Sequence, residues 1–199
     1  MIKKTTKRVR KRSRDFSGER FARLAATGEQ VFHAGDLANL WDIRRRETLY
    51  MTLSRYTAAG LLFRVYKGLY AIKQPNELDP YLLGVKALHA PAYVSCESVL
   101  FKNGAINQLP SEVTLVSTVS KRLTVAGTRF RSRKLRDIFL FNDTGIETKN
   151  GVRVATLPRA MADMLYFYPK KYFDAGNSKI IPWPKVRKIA TAVGYPVNK

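Results

Sequence analysis

A chain of 199 residues, of which 45% are apolar, is long enough to bury a real core as one large or two small domains, and this composition excludes a disordered protein. Its 36 lysines and arginines outnumber 15 acidic residues and give a net charge of +21, a field that attracts phosphate groups, so we expect affinity for nucleic acid. The chain has no secretory stretch at its amino terminus, no apolar run that could span a bilayer and a single cysteine, which predicts a cytoplasmic protein without membrane partners or internal disulfides.

The chain begins with a basic tail, residues 1–15. Residues 1–14, MIKKTTKRVRKRSR, contain eight basic side chains and no acidic one. Such a block cannot bury enough apolar surface to fold alone. A basic arm in front of a DNA-binding domain adds contacts to a groove or to the phosphate backbone without reading much sequence. We therefore expect the tail to strengthen binding to DNA; the alternative is a tail that only keeps the protein in solution.

Residues 16–75 have the pattern of a winged helix-turn-helix. Hydrophobic spacing and turn residues mark each element. The predicted elements are, in chain order, a helix over 17–26, a short extended segment at 31–32, a helix over 37–41, a tight turn at 42–44, a longer helix over 45–59 ended by Gly60, and two short strands, 61–65 and 69–72. The two strands form a hairpin, the wing, around Lys67-Gly68.

The longer helix, 45–59, has an apolar face and a polar face. Leu49, Leu53 and Tyr56 recur at spacings of four and three residues, so they share one face and must pack inward. In a helix-turn-helix that binds a duplex, the second helix enters the major groove, where each base pair shows a distinct pattern of donors and acceptors. The residues that we predict to contact double-stranded DNA are Arg44, Arg45, Arg46, Thr48, Tyr50, Ser54, Arg55, Arg64 and Lys67.

Arginine side chains suit both phosphates and guanine edges. We predict that Arg55 reads a guanine, a contact that gives about 1 to 3 kcal/mol of base discrimination. Arg64 and Lys67 would hold the wing on the flanking backbone or in the minor groove. The alternative is that these arginines are a solvated helix end and that the domain binds another protein, because winged helices are reused for many tasks.

Residues 76–199 predict a small mixed α+β domain, so the fold class of the whole chain is α+β. A linker is expected near 73–76, where Pro75-Asn76 marks a boundary. The predicted helices cover 77–88, 95–102, 158–168 and 184–193, and the predicted strands cover 112–117, 123–125, 128–133 and 138–141, with a further hairpin around Asn150-Gly151. We expect two of the helices to cover one sheet.

A basic stripe is predicted on one strand of this second domain. Arg129, Arg131 and Arg133 alternate with Phe130 and Ser132, so on a strand the three arginines point to one face. This possible secondary surface could contact DNA, RNA or an acidic protein. The spacing does not separate these partners from a strand face that is merely solvated.

The sequence contains no convincing catalytic constellation. Asp137, Glu147 and Lys149 match a loose metal-site pattern of nucleases, in which carboxylates hold a divalent ion and a lysine supports the attacking water. The match is short enough to arise by chance, and Lys149 lies at the tip of a predicted hairpin. His33 and His89 have no cluster of metal-binding residues around them. We predict a protein that is not an enzyme and has no cofactor or metal.

Four segments, taken together in this order, resemble a known family. They are GLLFRVYKGLYA at 60–71, YVSCESVLFKNG at 93–104, the strand at 113–117, and ATLPRAMADMLY at 155–166. Over roughly residues 16–170 the chain is similar to the AbiEi-type antitoxins of bacterial abortive-infection systems, which serve in phage defence. The family's DNA-reading helix maps onto 45–59 and its wing onto 64–70.

This resemblance implies an antitoxin and transcriptional repressor of a type IV toxin-antitoxin system. The amino-terminal domain would repress its own operon by binding its promoter, which we expect to carry inverted repeats. The carboxy-terminal domain would counteract a cognate nucleotidyltransferase toxin. The alternative is a plain winged-helix transcriptional regulator or replication factor whose carboxy-terminal domain serves dimerisation or DNA wrapping.

Overall fold

The computed structural model describes residues 18–169 and 178–196 of the chain. The chain divides into two compact units, Met1–Leu78 and Asp79–Lys199, and the division falls close to the predicted linker. The protein is a mixed α+β structure with helices and two separate sheets. Within the described ranges, no helix is both long enough and apolar enough to cross a membrane. The predicted basic tail, residues 1–15, lies outside the described residues.

In the described part of the first unit there are three α-helices, three short strands and, at its end, a 3-10 turn, Pro75–Glu77. Its elements are helix α1 over 18–26, strand β1 (Val31–His33), helix α2 (Ala34–Leu40), helix α3 (Arg46–Ala58), strand β2 (Phe63–Tyr66) and strand β3 (Leu69–Ala71). The strands form an antiparallel sheet in the order β1-β3-β2. These elements match the predicted ones in type and order, with ends that differ by up to three residues.

One hydrophobic core holds the three helices of the first unit together. The ring of Trp41, just after α2, is 5.1 Å from the ring of Tyr56 on α3, and its indole N–H donates to the Arg20 carbonyl oxygen in α1 at 3.1 Å. Each large apolar side chain that is fully buried contributes roughly 1.5 to 3 kcal/mol. The buried members are Leu24, Phe32, Leu37, Trp41, Leu49, Leu53, Tyr56, Leu62 and Tyr70. The inward face of α3 is therefore the one that its spacing predicts.

Left-handed residues end α2 and α3. Asp42, with φ of 51°, follows α2, and Gly60, with φ of 68°, follows α3. Such a residue reverses the chain and lets the next N–H groups bond to the last carbonyls of the helix. After α2, for example, the Ile43 N–H donates to the Ala38 carbonyl oxygen at 2.9 Å. These two turns separate α3 from α2 and from the hairpin that follows it.

The second unit is built on a six-stranded mixed sheet. Where the structure describes this unit, its elements are α4 (Pro80–Leu88), β4 (Ala92–Val94), α5 (Glu97–Lys102), β5 (Val113–Ser117), β6 (Lys121–Val125), β7 (Thr128–Lys134), α6 (Asp137–Leu140), β8 (Ile146–Lys149), β9 (Val152–Ala155), α7 (Leu157–Phe167), a 3-10 turn (Ser178–Ile180) and α8 (Trp183–Val193). The strand order is β6-β7-β5-β4-β9-β8. The β5/β7 and β4/β9 pairs are parallel, and the other pairs are antiparallel.

The hairpin predicted at Asn150-Gly151 is confirmed as the turn between β8 and β9. Asn150 has φ of 50° and Gly151 has φ of 76°. A two-residue turn of this kind needs positive φ at both positions, because its twist then matches the twist of the strands. Asn and Gly are the residues that accept this conformation most readily, so the dipeptide fixes the register in which Lys149 faces Val152.

The strand predicted at 138–141 is wrong, because this segment forms the short helix α6. Two neighbouring side chains, Phe139 and Leu140, are buried, whereas Ile138 and Phe141 are 69% and 56% exposed. Adjacent inward residues flanked by outward ones fit a helical turn and not the alternation of a strand. Asp137 in the first turn favours the helix through its charge. The β-branched and aromatic composition of the segment was therefore misleading.

Candidate functional site

The nine residues predicted to contact DNA lie on α3, just before it, or on the hairpin of β2 and β3. All nine residues are exposed to solvent: Arg44, Arg45, Arg46, Thr48, Tyr50, Ser54, Arg55, Arg64 and Lys67. Six of them carry a positive charge. Because the apolar face of α3 is buried in the core of the first unit, this cationic face is open to a partner.

The exposed face of α3 has a centre and two flanks. An α-helix turns by about 100° per residue. Glu47, Met51 and Ser54, which we call the central line, lie within about 30° of the direction opposite to the buried side chains. The flanking residues lie about 70 to 110° from that direction. They are Arg46 and Tyr50 on one side, and Thr48 and Arg55 on the other.

The amino-terminal end of α3 concentrates positive charge. Arg45 is the extended N-cap residue, with φ of −87° and ψ of 123°, so the helix begins at Arg46. The Arg46 guanidinium lies 5.5 Å from the centre of the Tyr50 ring, one turn further along. Arg44 is 3.9 Å from Asp42, but both side chains are more than four-fifths exposed, and such a pair contributes little. The Arg44 side chain is therefore held only weakly by the protein itself.

The hairpin adds two more cations on the same unit. Arg64 lies on β2, where it faces Tyr70 of β3, and Lys67 precedes Gly68 in the turn. Gly68 has φ of 71°, a conformation that glycine adopts without strain. The pairing shifts register between Arg64 and Tyr66, a local bulge that increases the twist of the strands.

The predicted basic stripe is corrected by the burial of Arg133. Its side chain is only 8% exposed and forms a bidentate ion pair with Glu97 of α5, with both N–H···O distances at 2.6 Å. Glu97 also accepts a hydrogen bond from the Thr114 hydroxyl at 3.1 Å. A guanidinium removed from water needs such a partner. Arg133 is thus part of the interior of the second unit and not of a binding surface.

The other two arginines of the stripe are accessible to different degrees. Arg129 is exposed and Arg131 is half-buried. Arg122 of β6 lies directly opposite Arg131, and it also contacts Glu112 at 3.4 Å. Like charges in facing positions of two strands are unfavourable. On the face of this hairpin that carries Arg131, the accessible basic residues are therefore Arg122, Arg129 and Arg131.

The residues of the nuclease-like pattern lie on different elements. Asp137 begins α6, whereas Glu147 and Lys149 lie on β8, where they form an exposed ion pair at 2.8 Å. In the part of the chain that the structure describes, no group of three or more His, Cys, Asp or Glu side chains could hold a metal ion. The pattern therefore gains no support from the geometry of the described residues.

A buried polar network in the second unit escaped the sequence analysis. Arg159 and Asp163, one turn apart on α7, have no solvent exposure and are joined at 2.9 Å. Asp163 also accepts hydrogen bonds from the hydroxyls of Tyr93 and Ser95, at 2.9 and 2.6 Å, and from Tyr195. Burial raises the pKa of Tyr93 and Tyr195 well above the usual range, and the negative charge of Asp163 raises it further.

The network joins distant segments and satisfies its own polar groups. The remaining donors of Arg159 reach the Tyr93 hydroxyl and backbone carbonyls of Phe139, Asn142 and Thr144, all at 2.9 to 3.0 Å. The sequence signal for it was an Arg and an Asp at i, i+4 on a helix whose other residues between them are apolar. Because no donor of Arg159 remains free for a ligand, we assign the network a structural role.

Comparison with known proteins shows a shared fold but does not assign the chain to a family. No protein-family model matches the chain, and no curated protein matches it. Among solved structures, the chain is similar to the crystal structure of the RV2827C protein from Mycobacterium tuberculosis, with a TM-score of 0.52 and 16% sequence identity. The similarity covers 92% of this chain and 71% of that chain. The chain therefore shares its fold, over most of its length, with the RV2827C protein.

Proposed function

We propose that the first unit is a winged helix-turn-helix that binds double-stranded DNA, and that the protein represses its own promoter. One observation carries the proposal: six cations surround the exposed face of α3 and its hairpin, and the opposite face of α3 is buried. A helix with its side chains is about 10 to 12 Å across, which fits the major groove of about 12 Å. Arg64 and Lys67 then meet the backbone beside the groove.

We further propose that the second unit counteracts a nucleotidyltransferase toxin. The support is the resemblance of the segments at 60–71, 93–104, 113–117 and 155–166 to AbiEi-type antitoxins, together with the presence of a second compact unit with its own sheet. In such a protein the DNA-binding and toxin-opposing activities reside in separate units. We expect a reading frame for a nucleotidyltransferase next to the gene of this protein. The nucleotidyltransferase should arrest growth unless this chain is co-expressed with it.

The DNA-binding proposal is tested with the full chain and a labelled duplex of its own upstream region. Each phosphate contact contributes about 0.9 to the log-log slope of affinity against salt. Lys67→Ala should therefore weaken binding to every duplex alike and lower this slope by about 0.9. Lys188→Ala, which removes an exposed charge from α8 of the second unit, is the matched control and should leave affinity nearly unchanged. Binding that does not depend on salt, or equal losses in both variants, would contradict the proposal.

A second candidate function is a plain DNA-binding regulator whose second unit mediates dimerisation. The observation in its favour is the pair of exposed apolar side chains on and beside α6, Ile138 and Phe141. Sedimentation of the full chain distinguishes the two candidate functions. A dimer that becomes a monomer in the Ile138→Ser variant favours the regulator. A monomer that also protects cells against a toxin encoded by a neighbouring gene favours the antitoxin.

A further inference from the structure

An apolar side chain and a carboxylate occupy the centre of the cationic face of α3. Met51 is 56% exposed, which makes it the most exposed large hydrophobic residue in the described part of the first unit, followed by Tyr50 at 44%. Glu47 lies one turn before it on the same central line. Neither residue suits a phosphate, because one has no charge and the other has the wrong one. Their position therefore calls for a chemical partner other than the DNA backbone.

We propose that Met51 reads the methyl group of a thymine and that Glu47 reads the amino group of a cytosine in the major groove. This inference rests on the proposed DNA-binding function and specifies its base readout. Under it, Arg55 lies on a flank and contacts phosphate, in contrast to the guanine contact expected from the sequence alone. The specificity of the protein then comes from the central line and most of its affinity from the flanks.

The dimensions of the groove decide which side chains meet the bases. Because a helix of about 10 to 12 Å nearly fills a groove of about 12 Å, it has little freedom to roll or shift sideways. The central line then faces the floor of the groove, where the base edges lie. The flanks face the two phosphate walls, which is where Arg46 and Arg55 are found.

The chemistry of each side chain selects one base feature. The thymine methyl is the apolar group that the major groove presents, and the flexible thioether chain of methionine adapts its shape to such a group. Burying one methyl or methylene group corresponds to about fourfold in affinity. A carboxylate only accepts hydrogen bonds, so it pairs with an amino group and is repelled by the two acceptors of guanine. Cytosine presents its amino group without a neighbouring acceptor, whereas adenine presents one beside its N7 acceptor.

Both residues also have an ordinary explanation, which predicts different measurements. A carboxylate in the first turn of a helix stabilises that helix through its charge. Single exposed apolar side chains are common on protein surfaces. If these roles were the whole explanation, replacing Glu47 would change the stability of the first unit, replacing Met51 would change it little, and neither replacement would alter the preference among DNA sequences.

The test uses the full chain and a duplex that it enriches from a random pool. Each thymine of this duplex is replaced in turn by uracil, which removes only the methyl group. The wild-type protein should bind one such probe about fourfold more weakly. Met51→Ala should bind the thymine and uracil probes with equal affinity. Arg55→Ala, the matched control, should weaken binding to both probes while keeping the fourfold ratio.

A second set of probes tests the carboxylate. Each C·G pair is replaced in turn by T·A, and Glu47→Gln should lower the discrimination at one position by about fivefold. Three results would overturn the inference. The wild-type protein could bind equally well whichever thymine is replaced by uracil, Met51→Ala could keep the fourfold ratio, or Arg55→Ala alone could relax the sequence preference. A pool that yields no enriched duplex, or a chain that binds no DNA, would instead remove the proposed function itself.

Discussion

At the scale of single residues, Arg159 determines much of the order inside the second unit. Moving a guanidinium out of water costs several kcal/mol unless its charge is neutralised and every donor finds an acceptor. Asp163 provides the charge, and the Tyr93 hydroxyl and three backbone carbonyls take the other four N–H groups. Because these acceptors come from β4, α6 and the loop after α6, one side chain fixes α7 against several segments.

Replacing Arg159 with Met should destabilise the second unit by about 3 to 5 kcal/mol, because Asp163 would retain a buried charge without a counter-ion. Unfolding in urea, followed by circular dichroism, measures the loss. The double variant Arg159→Met, Asp163→Asn should recover part of it, since the carboxamide has no charge, its oxygen can accept from the Tyr93 and Ser95 hydroxyls, and its NH2 can donate to the Tyr195 oxygen. A double variant no more stable than Arg159→Met alone would show that the unpaired charge is not the cause.

Arg133 illustrates what the sequence can and cannot predict about a residue. Alternation along β7 correctly separates the face of Arg133 from the face of Phe130, since strand geometry alone sets this period. Exposure depends instead on which element covers each face. Glu97 of α5 covers Arg133 and is 36 residues away in the sequence. The same limit applies to Arg159, whereas the arginines before α3 were predictable because no long-range contact is needed to keep them exposed.

At the scale of elements, the packing of α4 on the sheet depends on a glycine. A Cβ atom at Gly84 would lie 2.2 Å from the ring of Phe130, which is fully buried on β7. The absence of a side chain at this position lets the helix approach the strand closely. Gly35, in the first turn of α2, has no such neighbour within 4 Å.

Gly84→Ala should therefore destabilise the protein, although Ala is the better helix former by about 1 kcal/mol. Overpacking a well-filled core costs typically 1 to 3 kcal/mol, and here the Phe130 ring must move. Thermal unfolding of Gly84→Ala and Gly35→Ala compares a crowded position with an open one, and we expect Gly35→Ala to be neutral or stabilising. Adding Phe130→Leu to Gly84→Ala should recover part of the loss; if it does not, the contact with Phe130 is not the cause.

Element prediction succeeded where local chemistry decides the structure and failed where burial decides it. Asn150-Gly151 predicted a hairpin because few residues accept two successive positive φ values. The left-handed Gly60 likewise predicted the end of α3. By contrast, the segment at 138–141 is too short for its periodicity to be read, and the burial of Phe139 and Leu140 on one side fits a helix. Short apolar runs are ambiguous for this reason.

At the scale of the whole molecule, composition predicted a basic protein and hydrophobic spacing predicted an α+β fold, but neither predicted the response of the protein to pH. Among residues 18–169 and 178–196, every tyrosine with a shifted pKa shifts upward, and burial is the main cause for each one: Tyr56 in the first unit, and Tyr81, Tyr93 and Tyr195 in the second. Tyr93 and Tyr195 are almost fully buried beside Asp163. Deprotonation of either one would place a second negative charge next to that carboxylate, so the folded chain holds these protons more tightly than the unfolded chain.

The protein should therefore lose stability above about pH 10. A group whose pKa is higher in the folded than in the unfolded state contributes its full stability below the unfolded pKa, near 10 for tyrosine, and loses it as the pH rises towards the folded value. The slope that each such tyrosine contributes to the free energy of unfolding grows as the unfolded tyrosine ionises and approaches about 1.4 kcal/mol per pH unit well above pH 10. Tyr93 and Tyr195 together therefore give the second unit a slope that approaches about twice this value.

Urea unfolding at a series of pH values from about 8 to 11 measures this slope. Tyr195→Phe removes one titrating hydroxyl and one hydrogen bond to Asp163, so it should lower stability at neutral pH and make the slope at the alkaline end shallower, by up to about 1.4 kcal/mol per unit. Tyr50→Phe, at an exposed position on α3, is the matched control and should leave the slope unchanged. An unchanged slope in Tyr195→Phe would mean that this hydroxyl ionises as easily in the folded chain as in the unfolded one, contrary to its burial beside a carboxylate.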